Sequence, residues 1–271
     1  MSRVIVAAEG NPLRDRGTLL KRYAFYAVVL CAVTAMGVHL IVFGTDWGRM
    51  GTFADVFGII MSLAPSLAFM PKIIGPLLQT LLMAFWGTLL AVLLSIPVFY
   101  LAASNITPHM MLTYPLGRGL IVVSRSTHEI IFALIYVAAL GLGPLPGILA
   151  LASRSVGFMA KTTAEAIENI DRGPIEAIEA TGAGPIKRFL FGVVPQVLPV
   201  FIGNAIFQLD INIRRAAILG MVGAGGIGLY FAEQMKIYEY GNASACVFGV
   251  VLLVIIGEFV SNRVRTKLIS G

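Results

Sequence analysis

The sequence predicts an all-α integral membrane protein with about six transmembrane helices. Of its 271 residues, 58% are hydrophobic and only 13% are charged. Soluble domains carry about 25% charged residues, roughly twice the fraction in this chain. Its mean hydropathy of +0.87 is accordingly high. Its apolar runs reach the roughly 20 residues that a helix needs to cross a bilayer.

These apolar runs define the predicted spans. They lie at Tyr23–Phe43, Leu77–Leu101, Gly119–Leu142, Leu145–Ala160, Val193–Ile213 and Ala245–Ser261. The fourth run is short and follows the turn Gly141–Gly147, so we expect it to be the inner arm of a tight hairpin. Between the first two runs, Phe53–Phe69 is apolar but contains Pro65, which favours an interfacial helix over a full crossing.

Lysine and arginine residues at the ends of the runs predict the orientation, because basic residues concentrate in cytoplasmic loops. They stand at Arg3, Arg14, Arg16, Lys21 and Arg22 before the first run, and at Arg263, Arg265 and Lys267 after the last. Both termini are therefore expected in the cytoplasm. The predicted organisation is a cytoplasmic tail (1–22), a first helix with an external or interfacial segment (23–75), a core (76–262) with a cytoplasmic loop (161–190), and a cytoplasmic tail (263–271).

Composition excludes several classes of protein. The net charge of +6 marks helix ends rather than one basic face, so we expect no nucleic-acid partner. Cys31 and Cys246 lie in apolar runs without metal-ligand spacing, and they predict neither a disulfide nor a metal site. The sequence has no G-x-x-x-x-G-K-[ST] phosphate loop, so ATP hydrolysis is not expected on this chain.

The charged stretch Glu176–Pro195 separates two apolar runs and is predicted to begin with a short helix. Pro174 suits the start of that helix, and Gly182 suits the position just past its end. Such a helix at the membrane face is well placed to be held by a partner protein. The residues expected to form this docking surface are Glu176, Ala177, Glu179, Ala180 and Gly182.

A second stretch places Arg125, His128 and Glu129 in the third predicted span. The spacing of Arg125 and Glu129 puts both on one face of a continuous helix. A charge at membrane depth costs about 2.5–3.5 kcal/mol on insertion scales, so these residues either form a structural pair or line a polar path. A zinc-protease motif is excluded because Ala133 stands where the second histidine would be.

A third stretch begins with Asp210 and Arg214, which have the acid-before-base spacing of a helical ion pair. Arg214 and Arg215 lie near the predicted outer end of the fifth span. Two interpretations stay open. The arginines form ion pairs at the interface, or they attract anions at the mouth of a path, since guanidinium groups bind oxyanions bidentately.

The glycine-rich segment Met221–Gly228 follows directly. Its residues Gly223, Gly225 and Gly228 satisfy the dinucleotide pattern G-x-G-x-x-G, but no strand–turn–helix unit surrounds them. Broken backbone at this depth instead predicts a non-helical turn that lines a cavity or a protein interface. Such a turn is a candidate gate.

The loop resembles the EAA loop of permease subunits of ATP-binding-cassette (ABC) importers. Its pattern is E-A-A, three residues, G, nine residues, and I-x-L-P. Matching positions are Glu176, Ala177, Gly182 and Pro195, whereas Ile178, Gly192 and Val194 depart from the pattern. Together with Arg125–Glu129, Gly141–Ala152 and Ile211–Gly228, the loop resembles permeases of phosphonate importers over about Pro76–Asn262, with a core similar to methionine permeases.

The resemblance implies a type I importer in a bacterial plasma membrane. It implies two copies of this chain, two ATPase subunits that bind ATP and Mg²⁺, and a periplasmic or lipid-anchored substrate-binding protein. Membrane lipid is the remaining partner, and no cofactor is expected on the chain itself. The charged residues of the second and third stretches would then line the translocation path or its gate.

Other functions predict different behaviour. The same architecture could carry phosphite, phosphate or another solute such as an amino acid. An intramembrane enzyme using Arg125, His128 and Glu129 would act without ATP, but the sequence shows no nucleophile–base or metal constellation. A secondary transporter would work as a single chain on an ion gradient, which leaves the EAA-like loop without a role.

Overall fold

The computed structural model describes residues 12–44, 57–58, 61 and 63–269, and these residues are helical with no strand among them. One compact unit spans residues 1–59 and a second spans residues 60–271. The first contains the long helix α1, and the second contains the remaining helices. The all-α prediction is confirmed.

Ten α-helices are present in the described ranges. They are α1 (Pro12–Gly44), α2 (Met70–Ala102), α3 (Thr113–Ser126), α4 (Glu129–Leu140), α5 (Pro144–Glu168), α6 (Gly173–Ala180), α7 (Pro185–Arg188), α8 (Val194–Leu219), α9 (Ile227–Lys236) and α10 (Tyr240–Ile269). Short π-helical turns, Phe189–Val193 and Gly220–Ala224, continue α7 into α8 and end α8.

In the part of the chain that the structure describes, four stretches are long and apolar enough to cross a membrane: Leu19–Gly44, Leu67–Ala102, Ile186–Ala224 and Tyr240–Arg263. The pair α3 and α4 adds a fifth if it is counted as one bent span. The expected fourth span lies in α5, which is not among these stretches. Within the segment Phe53–Phe69, residues 53–56, 59, 60 and 62 lie outside the described residues, and the segment ends in a short 3-10 turn at Leu67–Phe69.

The third predicted span is wrong as a single helix. Thr127 and His128 have extended backbone, and α3 and α4 meet at 91°. His128 caps α4, since its Nδ1 accepts a hydrogen bond from the Ile130 amide at 3.3 Å. Arg125 and Glu129 therefore do not share a helix face, because they lie on opposite sides of this bend.

The core of the second unit forms where α2, α5 and α8 pack together, with α3 and α4 on α5 and with α10 on α8. Small side chains allow close approach, as expected where helices associate in lipid. Ala84, Ala91, Ala150 and Ala216 are fully buried. Gly87 allows α2 to approach α5 closely, because a Cβ at this position would lie only 2.9 Å from the Cβ of Leu151.

Within the predicted turn Met221–Gly228, the backbone departs from helical geometry at Val222, Gly223, Gly225 and Gly226, whereas Ile227 and Gly228 already belong to α9. Gly223, Gly225 and Gly226 have φ angles of +90°, +81° and +71°, a region that glycine enters without steric cost. The turn is held from two sides. The Gly143 amide donates to the Gly223 carbonyl at 3.1 Å, and the Ile227 amide donates to Thr80 Oγ1 at 2.8 Å.

Candidate functional site

Glu129 is the centre of a group of ionisable side chains contributed by three helices, in which Arg154 and Arg215 are the cations. Its Oε1 lies 3.2 Å from Arg215 Nε, and its Oε2 lies 3.9 Å from Arg154 Nε and 3.8 Å from His128 Nδ1. We call Glu129, His128, Arg154 and Arg215 the Glu129 cluster. The Glu129 residue is only 8% exposed, so its negative charge is compensated by protein cations rather than by water.

The expected pair on α8 is also present. Arg214 Nη2 donates to Asp210 Oδ2 at 2.5 Å, which confirms the spacing argument. Asp210 is buried, and its Oδ1 has no hydrogen-bond partner among the described residues. Asp210 therefore depends on Arg214 for charge compensation, while Arg214 itself remains about half exposed.

A buried polar network lies beside the Glu129 cluster and ties three helices together. Asn212 Nδ2 donates to Thr88 Oγ1 at 2.9 Å and to Ser155 Oγ at 3.0 Å. Gln208 Nε2 donates to the same Ser155 oxygen at 2.8 Å. Satisfied networks of this kind fix one arrangement of the surrounding helices, and this one joins α2, α5 and α8 next to Arg154 and Asp210.

At the other end of the second unit, α6 has the bounds that the sequence predicted. Pro174 lies in its first turn, and Gly182 follows its last turn with φ +75°. Ile175 and Ile178 are partly buried, whereas the other face is exposed and consists of Glu176, Ala177, Glu179 and Ala180. Glu179 forms an ion pair with Arg188 of α7.

Gln196 fastens the loop that carries α6 to the start of α8. Its Oε1 accepts from the Asp171 amide at 3.1 Å, and its Nε2 donates to the carbonyls of Asp171 at 3.2 Å and Gly192 at 2.7 Å. A packing contact adds to these bonds. A Cβ at Gly192 would lie 3.1 Å from Ile175 Cγ1, so the inner face of α6 rests directly on the turn that leads into α8.

The structure separates the sequence candidates into distinct places. Glu129, His128 and Arg215 meet in the Glu129 cluster, with Asp210 and Arg214 on the same helix as Arg215. Arg125 is not part of this group. Gly223 and Gly225 lie in the turn beyond α8, and Gly228 lies in the first turn of α9. The docking residues of α6 lie at the far end of α8.

Sequence reasoning missed Arg154, Gln196 and the Ser155 network. Arg154 is a lone charge inside the fourth predicted span, and that isolation is a signal that could have found it. Gln196 and Ser155 carry no such signal. Their importance depends on partners 25 and 53 residues away along the chain.

Comparisons with known proteins agree with this architecture. The family model for the inner membrane component of binding-protein-dependent transport systems matches residues 47–269. Solved structures with the same fold include an inward-facing MetNI methionine ABC transporter, at TM-score 0.64 and 23% identity, covering 75% of this chain and 99% of that chain. An amino acid ABC transporter gives TM-score 0.56 at 15% identity, covering 81% and 100%.

Sequence relatives include the phosphate-import permease protein PhnE of Mycolicibacterium smegmatis, 36% identical over 97% of this chain. The phosphite transport system permease protein PtxC of Stutzerimonas stutzeri is 36% identical over 82% of this chain. The chain spans 48% of the length of the first relative and 91% of the second.

The fold, the charged membrane interior and the exposed α6 define a membrane-embedded transport permease. The chain belongs to the family of inner membrane components of binding-protein-dependent transport systems. The predicted membership of a transport-permease family is confirmed, and so is the methionine-permease-like fold. The relatives are named as transport permeases.

Proposed function

We propose that this chain is the permease of an ATP-driven importer of small phosphorus oxyanions, with phosphonates as the expected substrates. Its relatives are named for phosphate and phosphite, and a cryptic phosphonate permease of Escherichia coli is 37% identical over 45% of the chain. A solute of this class needs a path that attracts an anion. Three arginines and two carboxylates of the Glu129 cluster and the neighbouring Asp210–Arg214 pair leave a net positive interior.

The single observation that carries the mechanism is the attachment of α6 to α8. Gln196 bonds to Asp171 just before α6, and Gly192 packs against Ile175 of α6. The exposed face of α6, at Glu176, Ala177, Glu179 and Ala180, is the surface on which a separate ATPase docks. A displacement of α6 passes to α8 because its inner face has no freedom to slide over the turn. The same helix carries Asp210, Arg214 and Arg215 into the membrane interior.

Transport follows by alternating access between two copies of the chain. A binding protein delivers the substrate outside, and ATP with Mg²⁺ closes the ATPase pair in the cytoplasm, where both termini of this chain also lie. The closure reaches α8 through α6 and opens the path outward. Hydrolysis then resets the assembly toward the cytoplasm.

The ion pairs of the path prevent the substrate from being trapped. Arg214 is held by Asp210 and Arg215 by Glu129, so a passing oxyanion competes with protein carboxylates for the guanidinium groups. This competition weakens the binding of the substrate to the arginines. Weak binding is needed because transport requires a site that the substrate can leave. The net positive interior nevertheless favours anions over cations.

Uptake by the reconstituted system tests this proposal. The permease, its ATPase and its binding protein are placed in proteoliposomes, and accumulation of radiolabelled methylphosphonate, phosphite, phosphate and methionine is measured with and without ATP. ATP-dependent accumulation of phosphorus oxyanions, with methylphosphonate the preferred competitor, supports the proposal. Accumulation of methionine alone, or uptake without ATP and without the ATPase, contradicts it.

A further inference from the structure

Helix α3 presents one face that combines positive charge with an apolar centre. Arg118, Ile121, Val122 and Arg125 follow the i, i+3, i+4, i+7 spacing of a single helix face. A cavity of about 340 Å³ lies on this face and is lined by Arg118, Ile121, Val122, Arg125, Ser126 and Lys161. Small-molecule sites typically begin at about 300 Å³, so the cavity is large enough for a small anion or a lipid headgroup.

Close packing between α3 and α5 fixes the position of Arg125. Gly157 of α5 donates its amide to Ser124 Oγ at 2.9 Å, and a Cβ at Gly157 would lie 3.0 Å from Arg125 Cγ. The stem of Arg125 therefore rests on α5. Lys161 lies one turn further along α5 and faces the same cavity from the other helix.

Two of the three cations around the cavity already have protein partners. Arg118 Nη2 donates to Glu168 Oε1 at 2.7 Å, and Arg118 Nε donates to the Ala102 carbonyl at 2.9 Å. Lys161 Nζ lies 3.4 Å from Glu165 Oε1. The guanidinium of Arg125 has neither a hydrogen bond nor an ion pair with any described residue, in contrast to Arg214 and Arg215.

This cavity is separate from the Glu129 cluster. Arg154 and Lys161 are seven residues apart on α5, which corresponds to about 10 Å along a helix axis. The cavity lies toward the end of α5 that leads to α6, and so toward the predicted cytoplasmic side. Arg125 is exposed on this face, and its charge is therefore available to an anion that enters the cavity.

We propose that the cavity between α3 and α5 binds a phosphorus oxyanion, held mainly by Arg125 and assisted by Lys161 and Arg118. Guanidinium groups bind phosphate oxygens bidentately, and an ammonium adds a point charge. The oxyanion comes either from the transported solute on its way to the cytoplasm, which rests on the proposed function, or from the headgroup of an anionic phospholipid.

Binding measurements on the full permease with its ATPase distinguish these two sources. In nanodiscs of phosphatidylcholine, methylphosphonate binding is titrated by ³¹P NMR. In nanodiscs that also contain phosphatidylglycerol, retention of that lipid by the permease is measured by native mass spectrometry. The variants are Arg125→Gln, Lys161→Gln and Arg125→Lys. Lys236→Gln, at the exposed end of α9, removes one charge away from the cavity and is the matched control.

Loss of a hydrogen bond to a charged group weakens binding by roughly tenfold or more, which is the effect expected for Arg125→Gln and, to a smaller extent, for Lys161→Gln. Arg125→Lys should recover part of the affinity, and Lys236→Gln should change nothing. A loss in methylphosphonate binding identifies the solute as the source, and a loss in phosphatidylglycerol retention identifies the lipid. Either result supports the site.

The site is overturned if the wild type binds neither probe, or if Arg125→Gln leaves both unchanged. Uptake of methylphosphonate by wild-type proteoliposomes is measured in parallel. If the wild type takes up methylphosphonate normally and Arg125→Gln binds both probes as the wild type does, only this site is contradicted. Binding that depends on Arg125 without any uptake contradicts only the proposed function.

Discussion

Arg215 Nε lies 3.2 Å from Glu129 Oε1, which joins the C-terminal part of α8 to the first residue of α4. This contact crosses between two helices that are far apart in sequence, and Arg154 of α5 shares the same carboxylate. Glu129 thus connects three helices through one side chain. Any rearrangement that separates α4 from α8 must break or exchange this pair.

Removing the negative charge at this junction should destabilise the protein and impair transport. Glu129→Gln leaves Arg154 and Arg215 without their carboxylate, and losing one partner of a buried pair typically costs about 3–5 kcal/mol. We expect a lower unfolding temperature in detergent and strongly reduced uptake. Lys236→Gln provides the control for a charge change on an exposed helix.

A double-mutant cycle with Glu129→Gln and Arg215→Gln measures the pair itself. Residues in direct contact have coupling energies of about 0.5–3 kcal/mol, so the double variant should be less unstable than the sum of the single variants. Strictly additive effects on unfolding would show that Glu129 and Arg215 do not interact in the membrane.

The left-handed backbone conformation at Gly182 allows the role of the end of α6 in ATPase docking to be tested. Gly182→Val introduces a β-branched residue at φ +75°, which costs about 1–2 kcal/mol, although a Cβ there meets no atom within 4 Å. We expect normal membrane insertion, a distorted end of α6, and reduced co-purification of the ATPase and reduced uptake.

Gly184→Val is the control for this substitution. Gly184 also has open space around its Cα, but it does not have a positive φ. It should therefore retain ATPase binding, and Gly182→Asn should retain more binding than Gly182→Val because asparagine tolerates this backbone region. Equal behaviour of the two valine variants would count against a role for the end of α6.

Gln196 is expected to transmit movement rather than to hold the ATPase. Gln196→Leu removes two hydrogen bonds to Asp171 in the loop and one to Gly192 in the turn before α8, but it leaves the exposed face of α6 unchanged. The ATPase should still co-purify and hydrolyse ATP, while uptake per ATP hydrolysed should fall several-fold. A parallel loss of ATPase binding would show that Gln196 serves only to keep the loop folded.

The sequence predicted local features of this fold better than contacts between helices. The bounds of α6 follow from Pro174 and Gly182, whose backbone preferences act within one turn, and the Asp210–Arg214 pair follows from helical spacing. The bend at Thr127 was missed because apolar residues continue on both sides of it. Glu129 found its partners on α5 and α8, and only the tertiary structure brings those helices together.

The central claim is that α6 is the site where an ATPase drives this permease. Ala180→Cys, in a Cys31→Ser and Cys246→Ala background, is treated with a short thiol–amine crosslinker in the assembled transporter. We predict a crosslink to the ATPase that stops ATP-driven uptake, and none from Tyr238→Cys on the exposed turn between α9 and α10. No crosslink from position 180 while ATP-driven uptake proceeds normally would contradict the account.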